Sequence, residues 1–166
     1  MFDRDEAQLL FDYDRWANTR LAHALAQLPA PLPAADRLFA HVVGALEIWT
    51  ERVAGGDYRA VAVWPAVVPY TELLARAERA WEHWRSVLER ADAEALAREV
   101  RFVNSQGREC ADTLADIVRH VVHHGTYHRG QIAQLVRAAG HAPLDLDYII
   151  WTRSRSAAAS APRRGS

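Results

Sequence analysis

Four histidines fall within nine consecutive positions, in the run His120-Val121-Val122-His123-His124-Gly125-Thr126-Tyr127-His128. Imidazole nitrogen is a ligand for zinc, nickel, iron and copper. Two rings four residues apart on a helix sit one turn above each other, with Cβ atoms about 5–6 Å apart. Such a pair can converge on one ion at about 2.0–2.1 Å from each nitrogen. The run is not the His-Glu-x-x-His signature of metalloproteases, because Gly125, Thr126 and Tyr127 separate His124 from His128 and supply no Glu to act as base.

Helical phase decides which of the four can share an ion. At about 100° per residue, with His124 at zero, Ile117 and Leu135 fall near 20°, Val121 near 60°, and Leu114 and Ile132 near 80°. The predicted core face is centred near 45°, with His128 at about 40° in its middle and His124 just inside its edge. His120 falls about 40° to the other side, at the margin, and His123 about 100° away, facing outward. A third histidine passes the same test upstream, where His41 shares a helix side with Leu38, Val42, Ala45, Ile48 and Trp49 while Glu47 points away.

An unpaired imidazole in an apolar core is costly, and coordination satisfies it. A hydrogen bond to a carbonyl or carboxylate would do so too, in which case the rings serve structure alone. For His124 and His128 together that alternative needs two separate partners. The phases therefore select His41, His124 and His128 as metal ligands, His120 as a rim group and His123 as surface. Three His ligands with a position left for water are the pattern of a catalytic zinc site more than of a closed structural one. No catalytic base is identified. Arg129 is a candidate for holding an anionic group if its side chain reaches the site's mouth.

The elements that must position these rings are helical. Residues 3–28 read as a first helix, with Leu10, Asp14, Ala17, Leu21, Leu25 and Leu28 on one side and a Pro-rich stop at 29–33. A second helix runs from about 35 to 53, with Asp36 near its positive end and Gly55-Gly56 after it. Residues 57–69, with Trp64-Pro65 and Pro69, read as a structured loop. Thr71 is the expected cap of a third helix to about residue 90, with Leu74, Ala77, Trp81, Trp84 and Leu88 apolar.

Val100 and Phe102 then alternate with charged neighbours, and 104–107 make the turn of a short hairpin. Thr113 followed by Asp116 resembles a capping box that opens the last long helix, which Gly140 and Pro143 should end. The apolar stretch 144–151 is expected to dock on the bundle. The predicted fold is all-α, a four-helix bundle over 1–152 with a hairpin before the last helix and a disordered tail over 153–166.

Composition narrows the class. The chain has 166 residues, half of them apolar, enough for one core without a staple. Its net charge is -1, and four arginines lie in the acid-free tail, so the body is more acidic still. That argues against nucleic acid as a partner. The lone Cys110 excludes an internal disulfide and fits a reducing cytoplasm. Neither a signal-like stretch nor a run of roughly 18 apolar residues is present, so no membrane association is expected.

The run HVVHHGTYHRGQI from His120 to Ile132 resembles the final-helix signature of the DinB-like metalloenzyme family. The opening LLFDYDRWANTRL, the HVVGALEIWTERVAG stretch starting at His41 and the RFVNSQGREC hairpin are similar to that family as well, so the resemblance covers residues 3 to about 152. It implies a four-helix bundle of unusual connectivity, commonly a homodimer, with zinc or nickel on one histidine of the second helix and two of the fourth. Those positions are His41, His124 and His128 here. Some relatives are S-transferases or isomerases that use low-molecular-weight bacterial thiols as cosubstrates. The expected function is thus a metal-dependent enzyme acting on a small molecule, most concretely a thiol S-transferase. A metal-dependent hydrolase, or a metal-binding sensor or interaction protein without turnover, is the alternative.

Overall fold

The structure, a computed structural model, describes residues 2–160. Asp3 caps the first helix, α1 (Arg4–Ala26), by accepting from the Glu6 amide. Pro33 opens α2 (Pro33–Ala54), where its missing N–H costs nothing, and Gly55 ends it in the left-handed conformation at φ 72°. A single 3-10 turn over Tyr58–Ala60 begins the loop to α3 (Tyr70–Glu89). This helix starts one residue before the expected Thr71 cap. Pro69 precedes it with no side-chain cap, and the Tyr70 hydroxyl instead donates a short hydrogen bond to Asp36 near the start of α2.

A five-residue helix, α4 (Ala93–Ala97), comes before the hairpin of β1 (Glu99–Val103) and β2 (Glu109–Thr113). The strands pair antiparallel with Phe102 opposite Cys110, and the Asn104 side chain accepts from the Gln106 and Arg108 amides to set the turn. Thr113 caps α5 (Leu114–Ala138) through the Asp116 amide, and Gly140, at φ 83°, lets the chain leave it. The last helix, α6 (Tyr148–Ser160), runs on past residue 153, where the disordered tail was expected. The rest of that tail, 161–166, lies outside the described residues. Trp151 is buried against Tyr13, whose hydroxyl donates to the Leu146 carbonyl at 2.9 Å, so this segment does dock on α1.

Each long helix packs against two others, in the order α1–α3–α2–α5 around the bundle, so α1 and α2, joined by a short turn, lie at opposite corners. Trp84, Phe39, Leu73, Leu88, Leu114, Ile117 and Ile132 are fully buried at the centre, with Trp84 stacked on Phe11 at 4.6 Å. Each such side chain contributes about 1.5–3 kcal/mol of burial.

A buried ion pair interrupts this core. Arg129 of α5 is 3% exposed, and its Nη1 donates to Asp14 of α1 at 2.7 Å and to Asn18 at 3.0 Å. Its Nη2 donates to Thr126, while Asp14 also accepts from Asn18 and from the Trp81 indole. Arg129 therefore does not serve as an anion-holding group at the histidine cluster; its guanidinium is committed to α1. Gly125 makes room for the pair, since a Cβ there would lie 2.8 Å from Asp14 Oδ1 and 2.9 Å from Arg129 Nη1.

Removing one partner of a buried ion pair leaves the other charge uncompensated. Asp14→Ala should therefore lower unfolding stability by about 3–5 kcal/mol in denaturant titrations. By contrast, Arg15→Ala breaks only the half-exposed pair with Glu78 and should cost under about 1 kcal/mol.

Candidate metal centre

The commitment of Arg129 to α1 sets the rotation of α5. Counting from His124 as zero, Gly125 lies near 100°, Val118 and Val136 near 120°, Arg129 near 140° and Val122 near 160°, and all are buried. The buried face is thus wider than the apolar pattern predicts and centred nearer 90° than 45°. The reason is that α5 packs against α1 as well as α2. His124 and His128 consequently sit not in the middle of that face but at its α2 side, each half-buried.

From the facing helix His41 meets them. Its ring centroid is 5.1 Å from that of His124 and 4.8 Å from that of His128. One nitrogen from each of the three rings lies within 4.8 Å of the other two. His124 Nε2 and His128 Nε2 are 3.1 Å apart, close to the edge of a tetrahedron with ligand bonds of about 2.0–2.1 Å.

The opposite nitrogens are held from behind. His41 Nδ1 is 2.7 Å from the Val63 carbonyl, and His128 Nδ1 is 2.7 Å from Gln131 Oε1. A ring that donates from Nδ1 to an oxygen keeps a lone pair on Nε2, the state a metal ligand needs. The loop brings its part of this arrangement over Gly44, one turn after His41. A Cβ on Gly44 would lie 3.0 Å from both the Ala62 carbonyl and Pro65 Cδ, so the glycine lets residues 62–65 lie directly on α2. Trp64 then stacks flat on the His41 ring, 4.0 Å between centroids and 15° between planes.

The electrostatics favour the neutral form of His124 and His41. Burial, then the charges of His128, His41 and His120, push the His124 pKa down to about 4. Burial also lowers that of His41, against the Val63 hydrogen bond, which raises it. Coordination needs deprotonated imidazole, so such rings give up few protons on binding an ion at neutral pH. Donor type, spacing and rear support all fit a divalent metal.

The two other histidines lie apart from this group. His123 is exposed. His120 is also exposed, its ring 5.7 Å from that of His124 and edge-on to Trp49 at 5.1 Å, which puts it beside the cluster. Glu47, expected to point away from His41, pairs with Arg76 of α3 at 2.9 Å. Phase alone did not single out Gln131, Val63 or Gly44. Gln131 was the most accessible of the three, because it lies three residues after His128, one turn along the helix.

A family model described as the DinB family matches residues 1–161. The chain belongs to the DinB family. It is 29% identical over 160 residues to Protein DinB of Bacillus subtilis (strain 168), a similarity that spans 87% of this chain and 92% of that protein. Membership of the DinB family accords with the bundle and its hairpin. Among the described residues no helix is long and apolar enough to cross a membrane.

Two measurements test the geometry. His124→Ala should lose most bound metal by elemental analysis, whereas His123→Ala should match the wild type; equal losses would show that α5 is rotated from the phase described. Gln131→Leu, which removes the acceptor behind His128, should weaken metal affinity about 10–100-fold in chelator competition while the helical circular dichroism is kept.

Proposed function

We propose that this DinB-family protein is a metal-dependent enzyme whose reaction transfers a group to or from the sulfur of a low-molecular-weight thiol, with His41, His124 and His128 holding the ion. The observation that carries the reading is the convergence of one nitrogen from each of three imidazoles within 4.8 Å of one another, with His41 and His128 held from behind by the Val63 carbonyl and Gln131. Zinc or nickel held by three neutral imidazoles retains its positive charge, which lowers the pKa of a thiol that binds it.

The remaining chemistry belongs to the protein's own groups. His41 is buried and locked between Val63 and Trp64, so it cannot swing away when a substrate approaches. His124 and His128 are half-buried at the edge of their helix's packed face, so neither ring is sealed from solvent. The group contains no carboxylate among the described residues, so the protein supplies no negative charge there to compete with an incoming thiolate.

Cobalt-substituted protein titrated with 2-mercaptoethanol should develop a sulfur-to-metal charge-transfer band. Apparent affinity should rise with pH below the thiol's own pKa, because binding releases the thiol proton. The band should be missing in His128→Ala. Cobalt that stays bound in the wild type while no band forms across several thiols and pH values would overturn the sulfur-transfer reading.

A further inference from the structure

A cleft of about 410 Å³, within the range of small-molecule sites, lies between the end of α2, the start of α5 and the hairpin. Its wall contains an arginine with an unusual environment. The Arg52 guanidinium carbon sits 4.4 Å from the Trp49 ring centre and 4.3 Å from that of Phe102. Among the described residues this guanidinium has no hydrogen bond and no ion pair, and its Nε is buried without a partner.

The acids of the same wall do not neutralise it. Asp116 is taken up by Arg119 at 2.8 Å and by the Thr113 hydroxyl at 2.7 Å. Asp112 lies beyond ion-pair distance and acts only as a background charge. Burial works against the charged form of Arg52, so an anion brought to it would meet a cation whose solvation is already partly lost. A planar cation held by aromatic rings with its N–H donors unmet suits a carboxylate, which can accept two parallel hydrogen bonds from it.

The cleft starts beside the histidine cluster, since His120 lines it and stands 5.7 Å, ring to ring, from His124. Ile117, at its far end on α5, is seven residues from His124, about 10 Å along the helix. We propose that this cleft binds the distal end of the substrate, an elongated thiol whose carboxylate is received by Arg52 while its sulfur reaches the His41–His124–His128 centre. The thiol end rests on the function proposed above; the carboxylate end stands on Arg52 independently.

A matched pair of probes separates the two. Cobalt-substituted protein is titrated with 6-mercaptohexanoate and with 6-mercaptohexanol, which differ only in the charged terminus. The acid should bind at least about tenfold more tightly, the scale of one charge-assisted hydrogen bond. Arg52→Met, which keeps the packing against Trp49 and Phe102, should erase the preference without changing cobalt content or thermal melting. Arg52→Lys should restore part of it. Equal binding of acid and alcohol by the wild type, or a preference that survives Arg52→Met, overturns the proposal.

If neither thiol binds the cobalt form, the sulfur-transfer reading fails, and calorimetric titration of hexanoate into metal-free protein decides the carboxylate site. Saturable binding that is lost in Arg52→Met supports it, and binding that is absent or independent of Arg52 refutes it.

Discussion

A charge placed inside a helical bundle has to be matched, and matching it fixes the helices that carry the partners. Arg129 on α5 reaches Asp14 and Asn18 on α1, with Trp81 of α3 donating to the same carboxylate. Apolar contacts alone tolerate some rotation of a helix about its axis, because one Leu or Val replaces another at little cost. A buried guanidinium with directed N–H groups does not. Once Arg129 faces α1, the helical period turns His124 and His128 toward α2 and His123 toward solvent. The histidine geometry thus depends on an ion pair that touches none of the three rings within hydrogen-bond reach.

Two demands compete along α5, and the placement of the histidines reconciles them. A ligand ring must be dry enough to stay neutral and fixed, yet the ion must be reachable. At the centre of the buried arc, near Val118 and Val136, a metal would be sealed between α1 and α2; at the position of His123 it would be held by nothing from α2. The margin, where His124 and His128 lie, gives half-burial, a depressed basicity for His124 and a facing helix that supplies the third ring. The third ring is the best supported of the three, with a carbonyl behind it and an indole over its face.

Much of this was legible in the residues. The periodicity of α1, α2, α3 and α5 placed each within a few residues of its observed bounds, and the alternation around Phe102 marked the hairpin. The same period selected His41, His124 and His128 as a group, although it put His128 in the middle of a face at whose margin it lies. What escaped depended on contacts between distant segments. The second packed side of α5 is signalled by Gly125 and Arg129, a small residue and a cation, neither of which scores as core until Asp14 is known to lie opposite. The order of helices around the bundle is set by three-dimensional pairing and leaves no trace in any one helix. The helical course of residues 153–160 was hidden by a composition of Ser, Ala and Arg that favours neither burial nor a fixed end.

Surface loops are ordinarily where a fold absorbs insertions and deletions. The segment between the 3-10 turn and α3 does not have that freedom, although Val63, Trp64 and Val67 are all exposed. Its path is pinned where Ala62 and Pro65 rest on Gly44, and the two residues between those points are the ones that hold His41. Adding or deleting a residue there would slide both the carbonyl and the indole off the imidazole together. This geometry leaves room for length change only in the later part of the loop, between Pro65 and Pro69, and a relative with a different spacing between Gly44 and this Trp-Pro pair would have to support its second-helix histidine by other means.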